Sequence, residues 1–308
     1  MQHHTMMSDQ AQKFIDDAPP LEHEPVDPAT IDKLRADTRA GFEPAARRAV
    51  ARHKVQTQDI EIAGIACMEV KPEGEQTERT VLYCYGGGYV TGSPFEDLPI
   101  TAALADHLKA RVVAIGYRLA PEHPYPAAVD DGFAVYQSVC RSCAPGTWAI
   151  AGESAGGNLA LALMQRAAAA GLAMPGAAAL LSPWCDLANQ GDSLSSNAGR
   201  DPTLHPDHLE DAARAYAGGR DLTDPLVSPI YGAFSDRFPP VIMTTGTRDL
   251  LMSGVVRLSR VMEQAGMSVD LRVWDGLWHV FEFYDELPEA AASLREIADH
   301  IHIRLTSV

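Results

Sequence analysis

Trp148-Ala149-Ile150-Ala151-Gly152-Glu153-Ser154-Ala155-Gly156-Gly157-Asn158-Leu159-Ala160-Leu161-Ala162-Leu163 decides how the rest of the chain is read. An apolar run of strand character breaks at a glycine, passes a serine inside G-x-S-x-G, and continues as an alanine- and leucine-rich run of helical character. The glycines have a mechanical reason. A strand that turns sharply into a helix at a strained serine leaves no room for side chains two positions before or after it. Such a turn lifts the serine oxygen clear of the sheet, beside the positive end of the following helix. The bare pattern also describes a simple strand-to-helix turn. The strand before it, the helix after it and the second glycine at 157 favour a nucleophile elbow.

Composition sets the outer limits. The chain has 308 residues, 46% hydrophobic and 21% charged, as in ordinary globular proteins, so it is long enough for one large α/β domain or two small ones. Its net charge of −16 argues against nucleic acid and anionic membrane surfaces as partners, and weakly favours neutral or cationic small molecules. The first residues lack a basic start and an apolar stretch, and no apolar run is long enough to span a bilayer, so a cytoplasmic protein without membrane insertion is expected. Five cysteines lie scattered at 67, 84, 140, 143 and 185. The lone pair Cys140 and Cys143 has no second pair or nearby histidines, so reduced thiols are expected rather than a zinc or redox site.

Outward from the elbow, strands and helices alternate. Residues 8–50 read as helical, with Asp27 or Thr30 near a helix start, and Gly41 and Pro44 are expected to split that region into two shorter helices. Period-two patterning over 55–62, with a return over 64–70, reads as an edge hairpin. Strands are expected at 80–85, 111–117, 148–152, 177–181, 241–246 and 269–274. Helices are expected at 100–110, 126–140, 158–170, 253–265 and 286–305. Such alternation predicts an α/β fold, a mostly parallel central sheet with helices on both faces, with ligands bound outside the C-terminal strand ends. About sixty residues separate the strands at 177–181 and 241–246, too many for an ordinary crossover. They hold a loop at 189–200, a helix at 206–217 and the turn-rich Asp224-Pro225-Leu226-Val227-Ser228-Pro229. The segment reads as an insertion over the site.

A nucleophilic serine needs a base, an acid to orient that base, and donors for the developing oxyanion. On sheets with such an elbow the acid and then the histidine follow the serine in the chain. The downstream histidines are His205, His208, His279, His300 and His302. His279 lies just past the last strand, where a loop can swing an imidazole over Ser154. His300 and His302 fall on the closing helix. His205 and His208 belong to the insertion, and with no third ligand nearby no metal site is expected there. Two carboxylates compete as the acid. Asp249 follows the strand at 241–246, and Asp275 stands four residues before His279, where Asp-Gly commonly makes a turn. The strand-end position favours Asp249. Oxyanion donors are expected from the glycine run in Tyr85-Gly86-Gly87-Gly88-Tyr89, directly after a strand, and from the amide of Ala155. The run does not read as a phosphate loop, because no Gly-Lys-Ser/Thr follows it.

Taken together, Y-G-G-G-Y-V-T-G-S at 85–93, Y-R-L-A-P-E-H-P-Y-P-A-A-V-D-D at 117–131, G-E-S-A-G-G-N-L-A at 152–160, S-P-W at 182–184 and G-L-W-H-V-F at 276–281 resemble the hormone-sensitive-lipase-like family, the bacterial family IV esterases of the α/β-hydrolase superfamily. The resemblance implies an α/β-hydrolase fold with a helical cap, and a serine carboxylic-ester hydrolase that needs no cofactor and no metal. It implies Gly87 and Gly88 beside Ala155 as the oxyanion hole, and a buttressing role for residues 117–131. The chain departs from the family pattern at three places. Tyr85 stands where the family has histidine, Glu153 where aspartate is commoner beside the serine, and Leu250 where proline usually follows the acid.

The expected substrate is a small neutral ester of short to medium acyl chain. A lactone hydrolase or a small-molecule deacetylase would share the same groups, and a non-catalytic small-molecule binding module on this fold is the reading from another class. A homodimer is compatible with the sequence. The expected division is cap helices over 1–52 and a catalytic domain over 53–308, whose insertion at about 186–232 contributes to the cap. Met6, Met7, Phe14 and Ile15 are expected to line or close the acyl pocket.

Overall fold

The apolar runs pair into one sheet in the computed structural model, which describes residues 7–74 and 78–305. Helices Asp9–Asp17 (α1) and Ile31–His53 (α2) come first, followed by the hairpin Val55–Ile62 (β1) and Ile65–Pro72 (β2). Then alternate Thr80–Cys84 (β3), Leu98–Leu108 (α3), Arg111–Ile115 (β4), Ala127–Ser142 (α4), Trp148–Glu153 (β5), Ser154–Ala169 (α5) and Ala177–Leu181 (β6). The insertion carries Ser193–Ser196 (α6) and Pro206–Ala217 (α7), and Val241–Gly246 (β7), Met252–Gln264 (α8), Val269–Trp274 (β8) and Pro288–Arg304 (α9) close the chain.

Strand order is β1-β2-β4-β3-β5-β6-β7-β8, antiparallel across β1-β2-β4 and parallel from β4 to β8. β3, β5, β6 and β7 are buried along their whole length, because helices cover both faces and the chemistry of Thr80-Val81-Leu82-Tyr83-Cys84 or Ala177-Ala178-Ala179-Leu180-Leu181 suits no wet face. β5 lies at the centre of this order, so the serine that follows it stands over the middle of the sheet. Among the described residues, no helix is long and apolar enough to cross a membrane.

Two expected boundaries are corrected. Gly41 and Pro44 do not split the N-terminal helix, which runs unbroken from Ile31 to His53. Pro44 removes one backbone donor, but both halves of α2 are anchored from outside. Arg35 donates to the carbonyls of Val90 and Ala120 and forks onto Glu122, Arg39 pairs with Glu96 and lies over the Phe95 ring, and Ala46 and Ala49 are buried. The helix start is held as expected by Asp27, whose carboxylate accepts from the amides of Ala29 and Thr30. The elbow helix likewise begins at Ser154 itself, not at 158, so Gly156 and Gly157 already belong to its first turn. Glycine reads as a helix breaker, yet here the close approach of β3 dictates it.

A Cβ on Gly156 would strike the carbonyl oxygens of Cys84 and Tyr85, and one on Gly152 would strike the backbone of Gly156. Backbone cannot step aside as a flexible side chain can. Gly156→Ala is therefore expected to destabilise the protein by about 3 kcal/mol, at the upper end of overpacking costs. Urea unfolding followed by circular dichroism measures it, and an unchanged midpoint would show that the elbow has slack.

Candidate active site

Ser154 sits at the junction of β5 and α5 with φ of +50°, a left-handed conformation that a non-glycine residue adopts at a cost. Its Oγ lies 2.9 Å from Nε2 of His279. Ala155 is the second residue of α5, so its N–H is one of the donors at the helix N-terminus that have no acceptor within the helix.

His279 and Asp249 reach the serine from loops after β8 and β7, and the two loops are fastened to each other. Arg248 N–H donates to the carbonyl of Leu277, Thr247 N–H to that of Trp274, and Gly276 N–H to the Thr247 hydroxyl. Gly246 makes this crossing possible, since a Cβ there would strike the backbone of Leu277. Nδ1 of His279 lies 3.1 Å from Oδ1 of Asp249. Asp249 is fully buried, and it also accepts from Leu251 N–H and from the Thr245 hydroxyl. Val280, next to the histidine, holds φ of +44°, a strained value for a β-branched residue.

Of the two competing acids, the structure brings Asp249 to His279. Asp275 is exposed, with its carboxylate near the Thr247 hydroxyl. Burial alone would lower the pKa of His279, but the charge and hydrogen bond of Asp249, with Asp201 and Glu282 behind, outweigh it and leave the imidazole above its ordinary value. Asp249 is moved the other way. Burial raises it, and the charge and hydrogen bond of His279 carry it below the usual carboxylate range. Serine, histidine and aspartate thus stand in one hydrogen-bonded line, polarised toward the serine.

The glycine run turns beside this line. Gly87 and Gly88 hold φ of +93° and +65°, and both share a pocket with Ser154 and His279. The loop is pinned at its ends by tyrosines. Tyr85 stacks on Tyr117 at 4.2 Å, and each hydroxyl donates to the other residue's backbone carbonyl. Tyr89 stacks on Tyr216 of α7 at 3.7 Å and donates to the side-chain oxygen of Asn158 in the elbow helix. A tyrosine in place of the expected histidine is thus accommodated by a partner from the 117–131 segment.

The pocket holds about 210 Å³. Its far walls are Thr38 and Phe42 of α2, Leu204, His208, Leu209 and Ala212 in and just before α7, and Phe283 with Tyr284 beyond the histidine. The expectation for α1 is corrected here. Phe14 stacks on Trp278 at 4.5 Å, and Met7 and Ile15 join it in a cluster with Leu277, Phe281 and Leu287. These residues back the histidine loop from outside and do not line the serine pocket. Met6 lies outside the described residues. His205 accepts from Asp207 N–H at the start of α7, and His208 forms pocket wall.

Sequence reasoning missed three buried carboxyls around the line. Asp201 accepts from Leu250 N–H, beside Asp249. Glu282 accepts from Thr244 and Ser293. Asp97, buried below the glycine run, accepts from the Tyr83 hydroxyl and lies against Glu153. Acidic residues near apolar stretches carry no signal of that convergence. The insertion also does more than cover. Asn197 donates to the carbonyls of Thr247 and Asp249, bracing the turn that presents the acid.

A family model described as an alpha/beta hydrolase fold matches residues 81–283. An acetyl-hydrolase of Streptomyces hygroscopicus is 35% identical over 251 residues, covering 81% of this chain and 84% of its own. Among solved structures, esterase E25 superposes with a TM-score of 0.91 at 32% identity, covering 98% of this chain and 96% of its own. A hormone-sensitive lipase from a metagenome library does so with a TM-score of 0.84 at 33% identity, covering 96% of each. With its sheet, its elbow and these likenesses, the chain belongs to the hormone-sensitive-lipase-like esterases of the α/β-hydrolase superfamily.

Proposed function

We propose that the enzyme hydrolyses carboxylic esters of small neutral substrates with short to medium acyl chains, using Ser154 as nucleophile, His279 as base and Asp249 as the group that orients the base. The observation that carries this reading is the line Asp249–His279–Ser154, at 3.1 and 2.9 Å, ending in the pocket that Gly87 and Gly88 also line. In the first half-reaction Oγ bonds to the ester carbonyl carbon while Nε2 takes its proton. The oxyanion is received by the amides of Gly87, Gly88 and Ala155. As the tetrahedral intermediate collapses, the C–O bond to the alcohol breaks and the imidazolium gives the alcohol its proton. Water, deprotonated by the same imidazole, then splits the acyl-serine. Asp249 keeps its charge throughout and stabilises the imidazolium.

In this reading residues 1–52 and the insertion at about 186–232 form the cap, since α2, α7 and the segment just before α7 supply Thr38, Phe42, Leu204 and Leu209 to the pocket. The net charge of −16 disfavours anionic substrates, and the acetyl-hydrolase named above supports a small acyl group. A larger groove of about 930 Å³ between α4, α5 and residues 225–238 holds none of the three groups.

Two measurements test the proposal. Diethyl p-nitrophenyl phosphate should label one peptide stoichiometrically, the one containing Ser154. Across p-nitrophenyl acetate, butyrate, octanoate and palmitate, kcat/KM should peak at acetate to butyrate and fall by about tenfold or more at palmitate, because methylenes beyond the pocket gain no burial. A protein that turns over none of these esters and takes no label is not the proposed hydrolase. A rate that rises toward palmitate overturns the small-acyl assignment. Lactones and N-acetyl amines in the same panel separate the neighbouring activities.

A further inference from the structure

Behind the glycine run, two carboxyl groups with no cationic partner are packed together. Glu153 and Asp97 are about 2% and 3% exposed, border one pocket beside Gly86 and lie against each other, and neither forms an ion pair among the described residues. Two ionised carboxylates buried side by side without a cation repel and have no proton to donate, so one proton held between them removes a buried charge and supplies the missing donor. The surroundings say which. Asp97 already accepts from the Tyr83 hydroxyl at 2.8 Å, which favours its charged form. The Glu153 carboxyl lies against the backbone of Gly86 with one oxygen, leaving the second to carry the proton toward Asp97. The packing is close enough that a Cβ on Gly86 would fall onto the Glu153 carboxyl, so the carboxyl fills the space that makes residue 86 a glycine.

We infer that Glu153 and Asp97 share one proton, and that protonated Glu153 is a positioning residue that sets Gly86 and through it the oxyanion amides of Gly87 and Gly88. The inference rests on the reading of those amides as oxyanion donors. The groups facing the pair agree with it. Burial first, and then the charge of Asp97 and of Glu282 beyond β7, push Glu153 well above the usual carboxyl range. Asp97 is raised by burial and by Glu96, whose own charge is taken up by Arg39 of α2 and the Ser93 hydroxyl. Tyr83 and Cys84 on β3 and Tyr117 just after β4 are all held neutral by burial. His279 lies across the pocket from the pair, already paired to Asp249. Losing the shared proton leaves two adjacent anions in an apolar setting, with no donor between them. They repel, and Gly86 loses its seat. The glycine loop is therefore set below the ionisation of the shared proton and disturbed above it, which gives kcat an alkaline fall that the Ser154–His279 chemistry alone does not have.

The substitution Glu153→Gln would reproduce the neutral acid without a titrating proton, because the amide N–H donates to Asp97 and the amide oxygen lies against Gly86. Initial rates of p-nitrophenyl acetate hydrolysis against pH, with circular dichroism at each pH, compare wild type, Glu153→Gln and Glu153→Ala. The expected result is an alkaline limb in kcat for wild type that is abolished or moved to higher pH in Glu153→Gln. For Glu153→Ala, kcat should drop about 10²-fold, the scale of a misplaced catalytic loop, with KM changed far less. An independent readout is the infrared carbonyl band of a protonated carboxyl at neutral pH, expected to weaken in Glu153→Gln relative to wild type. An unaltered band, an unaltered alkaline limb in Glu153→Gln, or wild-type kcat in Glu153→Ala overturns the inference. If wild type hydrolyses no ester, the proposed function fails, while the infrared comparison still tests the shared proton.

Discussion

Ser154→Ala is expected to lower kcat/KM for p-nitrophenyl acetate by about 10⁴-fold or more, with little loss of stability. Alanine inherits the backbone geometry of the elbow, including φ of +50°, so the strain at that residue is neither added nor relieved. What disappears is one hydrogen bond to His279, worth about 1 kcal/mol, and the oxygen that the imidazole faces. Residual catalysis should be what the glycine amides and the pocket supply without a nucleophile, since these act on any attacking water. The variant should also resist diethyl p-nitrophenyl phosphate. A protein that keeps a tenth of its rate after this change is using another group. His205 caps α7 and His300 and His302 lie on α9, so His208, which lines the same pocket, is the histidine such a result would implicate.

Sequence reasoning reached the sheet because its strands are short runs bounded by turn residues, and the central ones, β3, β5, β6 and β7, are wholly buried. Ala177–Leu181, Val241–Gly246 and Val269–Trp274 fall where the sequence places them, as does α7, whose Pro206 marks its first turn. That Asp249 and not Asp275 would lie beside His279 was legible for a related reason. A strand end fixes a residue in space, whereas Asp-Gly in a loop only predicts a turn. Long-range packing was not legible. Nothing local in Gly41 or Pro44 tells that Arg35 and Arg39 will hold the first half of α2 and buried Ala46 and Ala49 the second. Nothing in Phe14 tells that its ring will stack on Trp278 behind the histidine instead of entering the pocket. The acids Asp97, Asp201 and Glu282 are scattered along the chain and meet only through topology. Glu153 was visible as an oddity beside the serine, and its meaning depends on Asp97, far earlier in the chain.

Asp249→Asn should lower kcat by about 10⁴-fold while Asp275→Asn leaves it within about twofold of wild type. The asymmetry follows from what each carboxylate touches. Oδ1 of Asp249 accepts from both Nδ1 of His279 and Leu251 N–H, and Oδ2 from the Thr245 hydroxyl, so an amide in its place either keeps an uncharged oxygen on that shared position or turns its NH₂ toward Nδ1. In the first case the imidazolium loses its neighbouring anion, and in the second the imidazole accepts at Nδ1 and carries its proton on Nε2, where it can no longer receive one from Ser154. Asp275 meets only the Thr247 hydroxyl at the surface, and Gly276 N–H still ties to Thr247 without it. The pH dependence gives a second, independent reading. Because only neutral imidazole acts as base, the wild-type rate should rise with pH through a His279 pKa that lies above the ordinary histidine value. With the Asp249 charge removed, the leading effect left on His279 is burial, which lowers its pKa, so the residual activity of Asp249→Asn should keep rising only to a lower pH and then level off. Rates and acid limbs measured for both variants on one ester decide the matter. A crippled Asp275→Asn beside a mild Asp249→Asn would reverse the assignment, and an acid limb that stays in place in Asp249→Asn would show that the carboxylate does not govern the histidine.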